Sequence, residues 1–353
     1  TQADVYTYVV KPTVIDDNNN TYEVRLWGDY AMNDNTTNIQ EVVFKNTLDY
    51  VGLDAFKKSN GTSSVKRIYF TATEPTKDMS ATKWEYFDNS GNYTQKEFEP
   101  SLKVYVNKTA TGWSRYAGQT SYKIPGEINI AHWYGTFARE FDADLGIYAR
   151  ENNEAGRIGA FITQTAGMST ETDASTGVQT TKFIMKSINY GNTHVTDYDY
   201  VPAETGVLLE SRSGASTPAD FYYAIGEKDN VTYSLSNNIM EGVTVKDTKK
   251  QSSTSDPIFA MTTAGIFKPL KIGTDRTIPV HKAVARPKVT LSASAKVMFV
   301  FDDGEDHNIV NAIETVENNN VVDNNAYYNL QGQRVENPQH GVFIHNGKKV
   351  VLK

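Results

Sequence analysis

Apolar and polar residues alternate over short stretches along most of the chain, a period that favours half-buried β-strands over amphipathic helices. Clusters of Gly, Pro, Asn, Asp and Ser separate these stretches, as expected for turns between strands. Strand-like runs occur in the middle of the chain at residues 158–162, 182–188, 206–209, 221–225, 258–261 and 296–301. The pattern predicts a mainly β protein with an antiparallel β-sandwich domain over residues 127–301.

The first 126 residues contain two stretches that can be aligned. Residues 39–44 (Ile-Gln-Glu-Val-Val-Phe) lead into residues 48–56, and residues 65–70 (Val-Lys-Arg-Ile-Tyr-Phe) lead into residues 71–75. The offset of 26 residues lies within the range of about 20–29 found in leucine-rich repeats. Alternating strands of an ordinary β-domain can also be aligned in this way, so both interpretations stay open.

A short motif in this region adds a family resemblance. Residues 51–56 (Val-Gly-Leu-Asp-Ala-Phe) resemble the Ile-Gly-x-x-Ala-Phe turn of BspA-like leucine-rich-repeat surface proteins of anaerobic Gram-negative bacteria. Residues 104–110, with Trp113 and Tyr116, resemble the strand and helical turn that close such arrays. Trp27, Trp84 and Trp113 would then bury the cap, although ordinary core tryptophans fit the pattern equally well. The resemblance implies a leucine-rich-repeat-like region with a cap over residues 1–126, and a role in adhesion.

The middle region resembles a module found near the C-termini of the same surface proteins. The similar pieces are residues 133–137, 201–209, 278–283 and 297–303. Within residues 201–209 (Val-Pro-Ala-Glu-Thr-Gly-Val-Leu-Leu), Pro202 has no backbone N–H to donate to a neighbouring strand. It is therefore expected at the start of an edge strand. Gly206 is expected to permit a bend before a buried strand. His281 stands where that module usually has a small residue.

The end of the chain predicts a separate β element over residues 326–353. Residues 328–353 read as three short strands, and Asn346-Gly347 is the strongest hairpin signal among the turns that divide them. This pattern resembles type IX secretion sorting tails, which implies export to the cell surface or the medium. Residues 302–325 are rich in Asp and Glu without Lys or Arg, and predict a solvated acidic linker with one short element at 309–313.

Composition excludes several classes of function. The formal net charge is −7, which argues against nucleic-acid binding, since that rests on clustered Lys and Arg. The chain has no cysteine and no apolar run long enough for a transmembrane helix, so disulfides, thiolate metal sites and a membrane span are not expected. Residues 1–4 do not form a signal peptide; if the protein is exported, we expect a leader upstream of this numbering.

Candidate chemistry is sparse, and no catalytic residue, cofactor or metal site is predicted. The sequence contains no zincin, nucleophile-elbow, phosphate-loop or dinucleotide motif. The six histidines are interpreted as surface or turn residues: His132, His194, His281, His307, His340 and His345. Two acidic clusters offer oxygen ligands for calcium, but solvated turns explain them as well: Asp16, Asp17, Asn18, Asn20 and Glu23, and Asp302, Asp303, Glu305 and Asp306.

Two functions of different classes remain. The first is a non-enzymatic surface or secreted protein that binds a host or bacterial surface protein through the strand face of the repeats, around residues 42–44 and 68–70. The alternative is a carbohydrate-binding accessory protein of a glycan-utilisation system, in which exposed tyrosines stack on sugars. The candidate rings lie at residues 198–200, 221–223 and 327–328, where cross-strand packing is the competing interpretation. The ligand and the binding residues are not identified by the sequence.

Overall fold

In the computed structural model, β-strands dominate, and the described residues include one short α-helix, α1 (Ile147–Glu151), and a 3₁₀ turn at Ser114–Tyr116. The structure describes residues 6–32, 39–57, 61–72, 81–128, 130, 133–153, 158–175, 177, 179–188, 200–211, 221–226, 235–263, 265–287, 290, 296–301, 327–328, 334–335, 338–345 and 348–352. Contacts group residues 1–315 into one compact unit and residues 316–353 into a second. The mainly β prediction is therefore confirmed.

The first region consists of short strands. These are β1 (Thr7–Val10), β2 (Thr13–Ile15), β3 (Thr21–Glu23), β4 (Leu26–Trp27), β5 (Glu41–Phe44), β6 (Tyr50–Val51), β7 (Arg67–Phe70), β8 (Lys83–Trp84), β9 (Tyr86–Phe87), β10 (Tyr93–Thr94), β11 (Lys103–Val106) and β12 (Thr120–Ser121). A five-stranded parallel sheet has the order β1-β5-β7-β11-β12, and a second parallel sheet has the order β4-β6-β8. Three successive turns of the chain thus each add one strand to both sheets: β1 and β4, β5 and β6, β7 and β8. Two antiparallel hairpins, β2–β3 and β9–β10, interrupt the stack.

The register of the larger sheet explains why only two units were visible in the sequence. Glu41 pairs with Arg67 and Phe44 with Phe70, the alignment that the 26-residue offset predicts. Thr7 pairs with Glu41 and Arg67 with Lys103, so the neighbouring offsets are 34 residues (7 to 41) and 36 residues (67 to 103). Because the loops differ in length, β1 and β11 do not share the 26-residue spacing, and a search of the sequence for one fixed period does not find them.

Aromatic side chains fill the interior of this stack. Phe44 stacks on Phe70 with ring centroids 5.2 Å apart, and Phe56 stacks on Trp84 at 5.4 Å. Phe98 stacks on the buried Tyr116 of the 3₁₀ turn at 4.2 Å, where the sequence predicted a closing helical turn. Such offset ring pairs contribute beyond the apolar area that they bury.

The second region contains the remaining strands of the first compact unit. These are β13 (Ile124–Pro125), β14 (Tyr134–Phe137), β15 (Ala143–Asp144), β16 (Ile158–Thr172), β17 (Gln179–Ser187), β18 (Tyr200–Val201), β19 (Val207–Ser211), β20 (Tyr222–Ile225), β21 (Met240–Val243), β22 (Lys249–Lys250), β23 (Phe259–Met261), β24 (Phe267–Pro269), β25 (Arg276–Thr277), β26 (Lys282–Ala285) and β27 (Lys296–Phe301). All six strand-like runs predicted for this region contain strands. The sheets have the orders β14-β19-β16-β17-β27, β13-β20-β15-β18, β21-β26-β23-β24 and β22-β25.

Pairing in these sheets is antiparallel except between β17 and β27, which run parallel. Phe183 and Leu208 of the five-stranded sheet share a core cluster with Phe259 and Phe267 of the β21-β26-β23-β24 sheet. The two sheets therefore bury apolar side chains against each other, the arrangement by which a sheet hides its hydrophobic face.

Gly206 meets a packing requirement that the sequence did not predict. A Cβ atom at Gly206 would lie 2.6 Å from the backbone nitrogen of Gly242 and 2.7 Å from the carbonyl oxygen of Met240. The residue is small because β21 approaches its backbone, a tertiary requirement that the sequence does not reveal. Pro202 follows β18 and accepts a hydrogen bond from Thr205 N at 3.2 Å, so it begins a turn.

The two regions of the first unit share a hydrophobic core. The outward face of the parallel sheet contributes Val43, Tyr69 and Tyr105 to a cluster that also contains Phe137 and Phe141 of the second region. Residues 42, 44, 68 and 70 face the opposite way, into the aromatic interior of the stack. The strands β5, β7 and β11 are thus covered on both faces.

The second unit forms an antiparallel sheet of β28 (Tyr327–Tyr328), β29 (Arg334–Val335), β30 (Gly341–His345) and β31 (Lys348–Leu352), in the order β29-β28-β30-β31. His345 pairs with Lys348, so β30 and β31 pair on either side of the predicted hairpin signal, whose residues Asn346 and Gly347 lie outside the described residues. The predicted acidic linker at 302–325, with its short element and its acidic cluster, lies outside the described residues.

Candidate functional site

A buried cluster of charged residues lies where the two regions of the first unit meet. Arg139 is fully buried, and its Nη2 atom donates to Glu41 Oε2 at 2.8 Å. Its Nη1 atom donates to Glu127 Oε2, also at 2.8 Å. Nε lies 3.1 Å from Glu140 Oε2, an ion-pair contact without hydrogen-bond alignment. A buried guanidinium needs such partners, because an uncompensated charge in the interior is strongly unfavourable.

Further side chains complete the cluster. Arg67 donates to Glu127 Oε1 at 2.5 Å and approaches Glu41 Oε1 at 3.4 Å. The hydroxyls of Tyr69 and Tyr223 both donate to Glu127. The Arg139 guanidinium also lies over the ring of Tyr69, 4.9 Å from its centroid. Three carboxylates are therefore bound by two guanidinium groups and two phenols.

His281, the residue that departs from the resembling module, belongs to this cluster. Arg139 Nη1 lies 3.2 Å from His281 Nδ1, and arginine can only donate, so Nδ1 is the acceptor. This assigns the proton to Nε2, which lies 2.9 Å from Glu140 Oε1 and 3.3 Å from Thr7 Oγ1. The backbone of His281 has φ of 63°, a left-handed conformation that is uncommon for a residue with a side chain.

Electrostatics keep the cluster charged. Burial alone would raise the pKa of Glu127, but attraction to Arg139 and the hydrogen bond from Tyr223 hold that pKa below its ordinary value. Burial likewise opposes ionisation of Glu140, whose pKa is lowered by the hydrogen bond to His281 and by Arg139. Burial raises the pKa of Tyr69 and of Tyr223 well above the phenol value, so both remain donors. We interpret the cluster as an ion-pair network that joins the two regions.

The face that the sequence predicted for binding is not accessible. Val42, Val43 and Phe44 are each no more than 1% exposed, and Ile68, Tyr69 and Phe70 no more than 2%. The second region covers the outward members of these strands, and the stack interior buries the others. The prediction that binding spreads across this strand face is therefore inconsistent with the structure.

The tyrosines proposed for sugar stacking occupy different environments. Phe221, Tyr222 and Tyr223 are buried, and Tyr223 is part of the charged cluster. Tyr200 is half-buried beside Arg150, and Tyr198 lies outside the described residues. Tyr327 stacks on His345 in the second unit with ring centroids 4.2 Å apart. Cross-strand packing accounts for residues 221–223, because successive residues of β20 are buried on both sides of their sheet.

The first acidic cluster forms a hairpin turn. Asp16 Oδ1 accepts from the backbone nitrogens of Asn18 at 2.9 Å and Asn20 at 2.8 Å, while Oδ2 accepts from Asn20 Nδ2 and the Tyr22 hydroxyl. The hydrogen bonds, that from the Asn20 side chain first, lower the pKa of Asp16. Asp88 organises the β9–β10 turn through matching bonds to Ser90 and Asn92. Within the described residues, no group of acidic and histidine side chains has the arrangement of a metal site.

An open groove of about 750 Å³ runs along β1. Its floor is β1 itself with Lys11. One wall is apolar, and two of its residues, Val24 and Trp27, pack against the interior of the stack: Val14, Val24, Leu26 and Trp27. The other wall comes from the second region: Glu140, Glu204, Thr244 and Val245. Val14, Leu26 and Val245 are each more than half exposed, an unusual concentration of large apolar side chains around one groove.

The sequence interpretation missed both the charged cluster and the groove. A signal for the cluster was present, because the 26-residue alignment places Glu41 beside Arg67 at the first position of two apolar strands. A weaker signal for β1 was the alternation in residues 6–11 (Tyr-Thr-Tyr-Val-Val-Lys). The partners Arg139 and His281 carry no such signal, since they are distant in sequence.

None of the described helices has the length and apolar character needed to cross a bilayer. Comparison of the chain with protein-family models, with curated proteins and with solved structures found no match. Inferences about function therefore rest on the geometry of the chain itself.

Proposed function

We propose that this chain is a non-enzymatic binding protein, exported to the cell surface or secreted, that recognises a host or bacterial surface protein. The groove along β1 carries the proposal. Its exposed apolar side chains are unfavourable in water unless a partner covers them, and contiguous exposed apolar surface is typical of protein interaction sites. The buried carboxylates of the cluster are held by guanidinium and phenol groups, which suits a structural role better than catalysis.

The proposed architecture is a leucine-rich-repeat-like region of the BspA type, followed by a β-sandwich and a sorting tail. The stacked parallel strands and the apolar interior support the first assignment, because each turn of the chain buries its core only against its neighbours. Face-to-face packing of two sheets around Phe183 and Phe259 supports the second. The separate antiparallel unit at residues 316–353 supports the third.

In this proposal, binding lies at the exposed N-terminal rim of the stack rather than on its strand face. The strand face already binds the second region, through a shared apolar core and the Arg139 cluster. The rim, in contrast, combines the groove with the solvent-exposed hairpin β2–β3.

Carbohydrate binding is the alternative function, and one surface feature favours it. Phe87 and Tyr93 are exposed on the β9–β10 hairpin, with ring centroids 6.0 Å apart. Their planes are inclined by 59°, so they do not form the flat platform on which a sugar ring stacks best.

The proposed function predicts saturable binding of the intact chain to proteins on an array that combines extracellular-matrix proteins, bacterial surface proteins and glycans. Tyr93→Ala should leave this binding unchanged, because that ring lies outside the groove. Binding to glycans alone, lost in Tyr93→Ala, would establish the carbohydrate alternative. The absence of binding to both proteins and glycans would contradict a binding function.

Export is tested by removing residues 326–353 in the cell that produces the protein. The truncated chain should retain the thermal unfolding of the first unit, which comprises residues 1–315, because the sorting tail lies in a separate unit. It should no longer reach the cell surface, as measured by protease accessibility on intact cells. Unchanged surface display would show that the tail is not a sorting signal.

A further inference from the structure

We propose that the groove along β1 binds an extended segment of a partner protein, which adds a strand to the edge of the parallel sheet. This inference rests on the proposed binding function and identifies its site and the chemistry of its ligand. The recognised segment alternates apolar residues with lysine or arginine.

The backbone of β1 provides the first argument. Within the described part of the chain, β1 pairs only with β5 and is an outer strand of its sheet. The carbonyl oxygen of Tyr6 accepts a hydrogen bond from the backbone N–H of Glu41. In a parallel pair, every second residue of a strand directs its backbone N–H and C=O groups to the same neighbour, so those of Tyr8 and Val10 also point to β5. The N–H and C=O groups of Thr7 and Val9 therefore face the groove. An extended chain placed there would pair with them as in strand addition to a sheet edge.

The side chains of an added strand would meet two different environments. Successive residues of a strand point to opposite faces of the sheet. On the side of Tyr8 and Val10, an added residue would contact the apolar wall formed by Val14, Leu26 and Trp27. Trp27 of this wall packs against the core of the stack, so valine, isoleucine or leucine would be buried there.

On the opposite side, an added residue would lie beside Thr7 and Val9 and face Glu140 and Glu204. Glu204 is exposed and accepts a hydrogen bond from Thr244 Oγ1 at 2.7 Å, but it has no cationic partner among the described residues. Glu140 already binds His281 and Arg139. Lys11 also lines the groove, just beyond the end of β1. A lysine or arginine of the incoming strand is therefore placed beside Thr7 and Val9, where it would pair with Glu204.

The test uses the full chain and a pool of nine-residue fluorescent peptides, with valine, isoleucine or leucine at odd positions and lysine, arginine or threonine at even positions. Saturable binding is expected by fluorescence anisotropy. Val14→Lys and Leu26→Lys should each weaken the affinity by about tenfold or more, because burying an unpaired ammonium opposes binding. Glu204→Lys should abolish the preference for the pool over its glutamate counterpart.

Two matched control variants distinguish binding in the groove from nonspecific binding to exposed apolar side chains elsewhere on the surface. Ile15 neighbours Val14 in the same strand and is 68% exposed, but it does not line the groove. Ile272 is as exposed as Val245 and lies elsewhere. Ile15→Lys and Ile272→Lys should keep the affinity within about twofold of the unmodified chain. A loss in these variants equal to that in Val14→Lys would overturn the proposed site.

Backbone pairing has its own signature. An added strand uses the amides of alternate residues, so two isomeric peptides, N-methylated at odd or at even positions, should differ by about tenfold or more in affinity. Equal binding of both isomers would refute strand addition.

Other outcomes are also decisive. No saturable binding by the pool, or self-association of the chain that Leu26→Lys abolishes, would overturn the partner-segment proposal. If array binding survives in Val14→Lys and Leu26→Lys, the proposed function stands and this site fails. If the chain binds neither the array ligands nor the peptide pool, the proposed function fails as well.

Discussion

Replacing Arg139 with methionine is expected to lower the free energy of unfolding by about 3–5 kcal/mol, the range found when one partner of a buried ion pair is removed. The variant retains Glu41, Glu127 and Glu140 in the interior without their central cation. Equilibrium unfolding in urea measures the change. Because the cluster joins the two regions of the first unit, the two regions of the variant should also unfold less cooperatively than in the unmodified chain.

Arg286→Met is the matched control for this variant. Arg286 also contacts two carboxylates, with Nη2 at 2.5 Å from Asp256 Oδ2 and Nη1 at 3.3 Å from Glu241 Oε2. Its side chain is 35% exposed, so its loss should lower stability by only about 0–1 kcal/mol. Equal losses for the two arginine variants would contradict the importance of burial in the Arg139 cluster.

The pH dependence of stability should differ between the wild-type chain and Arg139→Met. In the wild type, the pKa of Glu127 is below its ordinary value of 4.5, so its stabilising contribution is present above pH 4.5. That contribution is lost as the pH falls through the lowered folded-state value. Without Arg139, the largest attraction that opposes burial is lost, so the folded-state pKa of Glu127 should rise and the loss of stability should begin at higher pH. Urea unfolding of both chains across the acidic pH range measures the difference.

Gly52→Ala is expected to destabilise the stack by about 1–3 kcal/mol, the range found for overpacked sites. A Cβ atom at Gly52 would lie 2.3 Å from the backbone nitrogen of Asp29 and 2.5 Å from the carbonyl carbon of Gly28. These atoms belong to the preceding turn of the stack, and Gly52 N also donates to Trp27 O at 2.7 Å. A methyl group would therefore force neighbouring turns of the chain apart, and the melting temperature should fall.

Gly28→Ala provides the control, since a Cβ atom there would have no heavy atom within 4 Å. Alanine restricts the unfolded chain, so this variant should be neutral or more stable by up to about 1 kcal/mol. A similar loss in both glycine variants would mean that close packing between turns is not the reason for Gly52.

Much of the strand content could be predicted from the sequence. The runs at 158–162 and 182–188 lie in β16 and β17, and the Asn346-Gly347 signal falls between β30 and β31. These predictions succeed because alternation and turn chemistry act over a few neighbouring residues. The pairing of Glu41 with Arg67 was also predictable, since the offset of 26 residues between β5 and β7 is the one that the sequence alignment gives.

The candidate sites could not be predicted in the same way. Arg139 binds Glu41 across 98 residues of sequence, and His281 approaches Thr7 across 274 residues. The groove likewise combines Leu26 with Glu204 and Val245. No local pattern links such residues, and the same alternation that identifies a strand does not say what covers each face.

The sequence by itself determined where the chain forms strands and turns, because those preferences arise from each residue and its close neighbours. The tertiary structure decided which strand faces are buried, which charges meet at Arg139 and which edge of the sheet has no partner strand among the described residues. Burial and ion pairing depend on surfaces brought together from distant parts of the chain. The strand face predicted to bind a partner is covered for that reason, and an open groove lies at the rim of the stack instead.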